Sequence, residues 1–223
     1  MKKSIFFALH IFVSIFMLML SGQNGQAQKA TSDVLDHQVV INDVDYHTIR
    51  STFLTSLASA RVPGGIITIL DCADTQNPQV TRLPQPTLRE TLDAIVFGNP
   101  EYRWQIDEGV INLLTTKDEP SLLKVQVNRL KVEKVRSIGA ILDALINLPE
   151  VKEAIARLNL KPGLKIMIGP VNPTPPQYTL IYENISVRDA LNKIAGLHGR
   201  AVWEYKERRC DGKTEFSIDF VVE

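Results

Sequence analysis

The sequence predicts an α+β protein made of two tandem repeats behind a signal peptide. Each repeat is expected to be a small mixed or antiparallel sheet with amphipathic helices on one face. Three observations lead to this prediction. The chain opens with an apolar leader, a set of matched residues recurs at a constant offset of 99 positions, and each half contains a capped helix followed by an alternating hairpin.

Residues 1–27 have the order of a secretory signal peptide. Two lysines form a basic start, residues 5–20 are almost wholly apolar, and Gly25 and Ala27 have the small-x-small spacing of a cleavage site. The apolar run is shorter than the roughly 20 residues that a spanning helix needs. We therefore expect cleavage, a periplasmic or extracellular location, and no membrane span afterwards. An uncleaved membrane anchor is the alternative.

The charge of the chain indicates which class of partner is not expected, and its cysteine content indicates whether a disulfide can form. Lys+Arg and Asp+Glu are both 25, and without a basic stripe nucleic acid is not an expected partner. The only two cysteines are Cys72 and Cys210. In an exported chain they can form a disulfide, which would contribute about 4–5 kcal/mol by closing a long loop. Two separate thiols are the alternative, because sequence does not give their distance.

The matched residues indicate a duplication, with one repeat in residues 28–116 and the other in residues 121–223. The polar segment 115–120, which ends in proline, is the expected boundary. The pairs that match at the common offset are Pro63 and Pro162, Thr87 and Ser186, Arg89 and Arg188, Leu92 and Leu191, Ile95 and Ile194, and Trp104 and Trp203.

Each repeat is expected to begin with a strand and a helix. In the first, residues 39–41 resemble a strand and residues 46–61 a helix with apolar residues on one face. In the second, residues 123–130 predict a strand. Residues 135–158 predict a helix that is interrupted near Pro149, because proline lacks a backbone donor.

A Pro-Gly turn and a strand come next in each repeat. Apolar alternation marks this strand through Ile67 and Ile69 in the first repeat, and through Ile166 and Ile168 in the second. A proline-bearing loop then leads to a short second strand. The loops are residues 71–78 and 170–176, and the second strands are residues 80–83 and 178–182.

An amphipathic helix and a hairpin close each repeat. Thr87 with Glu90, and Ser186 with Asp189, have the spacing of a capping box, in which side chains pair the free backbone N–H groups at a helix start. Gly98 and Gly199 are expected to supply left-handed helix ends. The hairpin turns are predicted at residues 107–109 and 210–212.

Six residues of the helix and hairpin are predicted to form the structural core. Apolar helix positions turn toward the sheet, and tryptophan on a half-buried hairpin buries a large area. A tryptophan used as a ligand platform is the alternative. The predicted core residues are Leu92, Ile95, Trp104, Leu191, Ile194 and Trp203.

Residues 184–195, with the sequence Asn-Ile-Ser-Val-Arg-Asp-Ala-Leu-Asn-Lys-Ile-Ala, resemble the core helix of the STN domain. This is the short N-terminal domain shared by secretins and TonB-dependent receptors. Residues 87–114 resemble the same domain in the order of their elements. In that family a strand precedes the helix, and a hairpin with a glycine turn follows it. The resemblance covers about 45 residues per repeat. It implies a non-catalytic docking role and does not identify the partner.

The sequence predicts no catalytic residue, no metal site and no cofactor. His37, His47 and His198 form no cluster, and no phosphate loop or known catalytic motif is present. Arg89 and Arg188 match in the repeat. They are either a paired contact to an acidic partner or solvated residues in the first helical turn.

The leading functional hypothesis is an exported, non-catalytic binding or scaffolding protein of the cell envelope that docks a protein partner. The alternative is an envelope hydrolase with a site between the two repeats, whose acid or base would be His198 or Glu204. Oligomerisation through an exposed strand edge is a further possibility, because short open sheets leave edges.

Overall fold

The chain folds as α+β structure with a mixed six-stranded sheet and a separate two-stranded sheet. The computed structural model describes residues 33–42, 46, 48–72, 80–117, 119–163 and 177–222. The predicted leader, most of the two proline-bearing loops and the predicted strand around Ile166 and Ile168 lie outside the described residues.

Residues 48–117 supply two helices and three strands. Thr48 caps the first helix by accepting a hydrogen bond from the Ser51 amide at 3.0 Å. The second helix begins with the predicted capping box, in which Thr87 and Glu90 each accept from the other's backbone N–H. This prediction is confirmed. The elements are α1 (Ile49–Ala60), β1 (Gly64–Asp71), α2 (Leu88–Gly98), β2 (Tyr102–Asp107) and β3 (Val110–Thr115).

Residues 119–222 supply three helices and five strands. Pro149 occupies the first turn of its helix, where a missing N–H costs nothing, and this confirms the predicted interruption. Ser186 accepts from the Asp189 amide at 3.1 Å, and the helix ends at Gly199 with φ 82°. The elements are β4 (Gln126–Val135), α3 (Ile138–Ile146), α4 (Pro149–Arg157), β5 (Leu160–Pro162), β6 (Tyr178–Ser186), α5 (Val187–His198), β7 (Ala201–Cys210) and β8 (Lys213–Val222).

The six-stranded sheet has the order β2-β3-β1-β7-β8-β5, and β4 and β6 form the two-stranded sheet. The hairpins β2–β3 and β7–β8 are antiparallel. β1 runs parallel to both β3 and β7, and β5 runs parallel to β8. Each half of the chain therefore contributes three adjacent strands, and the order is hairpin first and single strand last in both.

Helices cover both faces of the six-stranded sheet. One apolar core contains residues of α1 and α2 with Ile66, Ile111, Leu113 and Val202. The other contains residues of α3, α4 and α5 with Ile67, Leu114 and Trp203. Because neighbouring residues of a strand point to opposite faces, these sets lie on opposite sides of the sheet.

The two halves share one sheet, whereas the sequence predicted a separate small sheet for each. The junction is the parallel pair β1–β7, whose register runs from Gly64 opposite Val202 to Asp71 opposite Arg209. This pairing satisfies the backbone groups of two strands that would otherwise be open edges. A disulfide between Cys72 and Cys210, with a Cα–Cα distance of 5.1 Å, closes the same end of the junction.

Two local predictions differ from the structure. Gly98 ends α2 without a left-handed φ, and the helix cap is Asn99 at φ −141°. Residues 39–41 and 80–83 form no ladder; a single bridge joins Gln38 to Thr87. Pro84 and Pro86 lack the donors that a ladder requires. Among the described residues, no helix is both long and apolar enough to span a membrane.

Candidate functional site

β2 is an outer strand of the six-stranded sheet, and its only partner among the described strands is β3. The two strands meet in a two-residue turn, Glu108–Gly109, with φ values of 50° and 83°. Such a turn closes on a hydrogen-bonded pair, here Asp107 with Val110, and the pairs alternate along the ladder. The backbone N–H and C=O groups of Trp104 and Ile106 therefore point away from β3, toward the open edge.

The Trp104 indole lies above this edge on the face that carries α2. Its Nε1 donates to Asp93 Oδ1 of α2 at 2.9 Å. The ring packs against the core that contains Leu92 and Ile95, but it remains partly exposed. Burial of Trp104 is incomplete because no described strand lies beyond β2.

Trp203 makes the matching contact in the second half of the chain. Its Nε1 donates to Asn192 Oδ1 of α5 at 2.7 Å, again 11 residues earlier in the sequence. Trp203 has no exposed surface. The difference from Trp104 arises because β7 has a neighbour on its outer side, the strand β1.

Gly65 of β1 is the residue that lies under the Trp203 ring. A Cβ atom at Gly65 would lie 2.1 to 2.3 Å from indole atoms Cε2, Cζ2 and Nε1. The Trp203 ring thus extends across the junction and packs against the backbone of β1 at Gly65. Trp104 makes the matching hydrogen bond to its own helix, but no described strand lies on the outer side of β2.

Phe97 adds an apolar group beside the open edge. It lies one turn after Asp93 on α2, and 92% of its surface is exposed. The aligned position on α5 is Gly196, whose added Cβ would lie 3.7 Å from Val110 Cγ2, in the other half of the chain. We call Trp104, Ile106, Asp93 and Phe97 together the Trp104 edge.

The other predicted core residues are buried. Leu92, Ile95, Leu191 and Trp203 are 0% exposed, and Ile194 is 1% exposed. Trp104 is the exception in the predicted set.

The two matched arginines make contacts within the chain and are not brought together. Arg89 Nε lies 3.3 Å from Asp36 Oδ1, and both side chains are largely exposed. Arg188 Nη1 lies 3.2 Å from Glu119 Oε1, and Arg188 is less exposed than Arg89. These contacts assign each arginine an intramolecular role; whether a partner also contacts them stays a prediction.

His198 and Glu204, the groups named for a hydrolytic site, lie on different faces of the sheet. Glu204 is 1% exposed and accepts from Arg50 of α1 at 2.5 and 3.0 Å, with Lys206 at 2.9 Å. The hydrogen bond to Glu204 raises the pKa of Arg50. His198 ends α5 on the opposite face, where burial, and secondarily Arg200, lowers its pKa.

A cleft of about 690 Å³ lies between residues 39–41 and residues 82–86, next to Tyr46. Its described lining contains one charged side chain, Arg82, and no carboxylate, thiol or imidazole. Over the described part of the chain, no three His, Cys, Asp or Glu side chains are grouped as metal ligands. In comparisons with known proteins, no family model matches the sequence, and no curated protein or solved structure matches it significantly.

Asp93, Phe97 and Gly65 were not predicted as site residues. The sequence contains a signal for two of them. Phe97 lies outside the apolar stripe formed by Leu88, Leu92 and Ile95, and Asp93 aligns with Asn192 at the common offset. The role of Gly65 depends on pairing between the halves, which sequence does not give.

Proposed function

We propose that the protein is an exported, non-catalytic binding or scaffolding protein of the cell envelope that docks a protein partner. In this proposal the two halves are copies of one STN-like unit, and the first copy keeps its docking edge open. The order hairpin-then-strand in each half and the matching tryptophan contacts support the duplication.

The observation that carries the proposal is the contrast between the two hairpin strands. β7 is covered by β1 and its tryptophan is buried, whereas β2 leaves Trp104 partly exposed beside a Phe97 that is 92% exposed. An exposed phenylalanine one helical turn from the residue that Trp104 bonds, next to a strand with no described outer partner, favours a protein interaction surface. Tryptophan is also enriched among the residues that dominate binding energy.

Site-specific photocrosslinking in the producing cells tests the docking role. A photoreactive amino acid replaces Phe97, and a matched variant carries it at Ile181, an exposed apolar residue of β6 with 50% exposure. We expect one discrete adduct from position 97 that is absent from position 181. Equal or absent adducts at both positions would contradict the docking role.

The export part is tested separately by the mass and N-terminal sequence of the protein in the envelope fraction. We expect the chain to begin at Gln28, after the small residues Gly25 and Ala27. A protein that keeps residues 1–27 and stays in the cytoplasm would remove the envelope location from the proposal.

A further inference from the structure

We infer that the Trp104 edge binds an extended segment of a partner protein, which adds to the sheet as a strand parallel to β2 and places a glycine under the Trp104 ring. The inference rests on the proposed docking function and specifies how the partner binds. Its template is inside the molecule, since β1 occupies the corresponding position beside β7.

The arrangement of the halves gives the geometry of the added strand. The three-strand sets β2-β3-β1 and β7-β8-β5 run in opposite directions, and their helices lie on opposite faces. The two sets are related by a half-turn about an axis that runs across the strands. The half-turn is combined with a shift of three strand widths, or about 14 Å. This operation does not close on itself, so it leaves the outer side of β2 without the neighbour that β7 has.

The register and hydrogen bonds follow from the β1–β7 pair. Gly65 is opposite Trp203, and the Cys72 amide donates to the Arg209 carbonyl at 3.2 Å. In a parallel ladder, the carbonyl of every second residue of a strand accepts from the residue that follows its register partner. A segment with the β1 sequence would therefore place its second residue, the glycine that corresponds to Gly65, opposite Trp104. Its next residue would donate to the Trp104 carbonyl.

The glycine requirement comes from the tryptophan pose. The Trp203 ring leaves no room for a Cβ at Gly65, and Trp104 makes the same helix contact as Trp203. A bulky residue at this position of the partner would have to displace the ring. Main-chain pairing thus supplies affinity, and the ring selects a residue without a side chain.

A second copy of this chain fits the edge less well than a separate partner. The operation that relates the halves would bring β5 of another molecule next to β2. At the common offset of 99 positions, the residue of the second half that aligns with Gly65 is Leu164. A leucine at the position where no Cβ fits disfavours self-association through this edge.

The test uses the protein as cells produce it and a synthetic peptide with the sequence of residues 63–71, Pro-Gly-Gly-Ile-Ile-Thr-Ile-Leu-Asp. The peptide carries a fluorophore, and binding is followed by polarisation. The two tryptophans are replaced by 5-fluorotryptophan, so that ¹⁹F resonances separate Trp104 from Trp203. We expect saturable binding that shifts the Trp104 resonance and leaves that of Trp203 unchanged.

Two peptide changes test the pairing mode. Gly65→Leu in the peptide should weaken binding at least about tenfold, because the side chain meets the ring. N-methylation at Ile66 and Thr68 removes donors that face β2, and should weaken binding to a similar degree. N-methylation at Gly65 and Ile67, whose donors face away, is the matched control and should have a smaller effect.

A protein variant tests the ring itself. Trp104→Ala should bind the glycine and leucine peptides with similar affinity, since the selecting group is gone. Thermal melting verifies that this variant folds, and the peptide series stands on its own if it does not.

Each outcome decides between the docking function and the binding mode. Equal affinity for all peptides, or a shift of Trp203 in place of Trp104, overturns the strand mode. Head-to-tail oligomers seen by light scattering, with no peptide binding, would assign the edge to a second copy and also overturn it. A crosslink from position 97 without peptide binding keeps the docking function and rejects this mode. Peptide binding without a crosslink from position 97 would show that the edge can bind a strand, but it would reject the docking function in cells.

Discussion

Replacing Gly65 with alanine tests the packing on which the comparison of the two tryptophans depends. The new Cβ would lie 2.1 Å from Trp203 Cε2, whereas ordinary contacts begin near 3.4 Å. More than 1 Å of movement is therefore needed. Trp203 has no exposed surface and its Nε1 is bonded to Asn192 at 2.7 Å, so the ring cannot move without losing contacts.

The expected cost follows from two opposing effects. Overpacking of a well-packed core typically costs about 1–3 kcal/mol. Replacing glycine also reduces the conformational entropy of the unfolded chain, which stabilises the folded protein by about 0.4–1 kcal/mol. We expect Gly65→Ala to lower the free energy of unfolding by about 1–2 kcal/mol, and the melting temperature by about 2–8 °C for a chain of this size.

Gly196→Ala is the matched control. Its added Cβ lies 3.7 Å from Val110 Cγ2, an ordinary contact, and the position is within α5. Because alanine favours helix over glycine, we expect a gain of about 0.5–1 kcal/mol. Urea and thermal unfolding, followed by circular dichroism, measure both variants. The packing argument would be refuted if the free energy of unfolding of Gly65→Ala equalled that of the parent protein, or if it equalled or exceeded that of Gly196→Ala.

Three further predictions concern the ends and faces of the sheet. Arg50→Met should lower the free energy of unfolding by up to about 3 kcal/mol in urea titrations, because Glu204 loses its bidentate partner while 1% exposed. Cys72→Ser with Cys210→Ser should cost about 2–5 kcal/mol in the same assay, since the bridge spans 138 residues. His198 has a lowered pKa in the folded state, so its neutral form favours folding. Stability should decline below about pH 6.5 more steeply in the parent than in His198→Gln, as measured by melting temperature across that range.

Local structure was the part of the fold that the sequence predicted well. The capping box at Thr87, the proline at the start of α4 and the left-handed end at Gly199 each depend on residues within a few positions of one another. Such features follow from the chemistry of single residues, such as a hydroxyl that accepts from a nearby amide or a ring that fixes φ. The same local reasoning failed at Gly98, where Asn99 forms the cap.

The shared sheet could not be predicted in the same way. Alternation identifies β1 and β7 as strands, but it does not say that they pair across 138 residues of chain. That pairing depends on Gly65, whose missing side chain admits the Trp203 ring. A pattern of apolar residues contains no information about a cavity that forms only when two distant segments meet.

This limit also explains why Trp104 and Trp203 were assigned one role from sequence. Both rings bond to a helix residue 11 positions earlier, so their local environments match. Their exposure differs because β7 has β1 on its outer side, whereas no described strand lies on the outer side of β2. Two aligned positions with unlike residues accompany this difference. Phe97 aligns with Gly196, which lies close to Val110, and Leu164 aligns with Gly65. The junction between the halves gives β7 an outer neighbour, and none of the described strands gives one to β2. Phe97, which lies near the outer side of β2 and differs from its match in the second half, is therefore the residue that we expect to help determine what binds there.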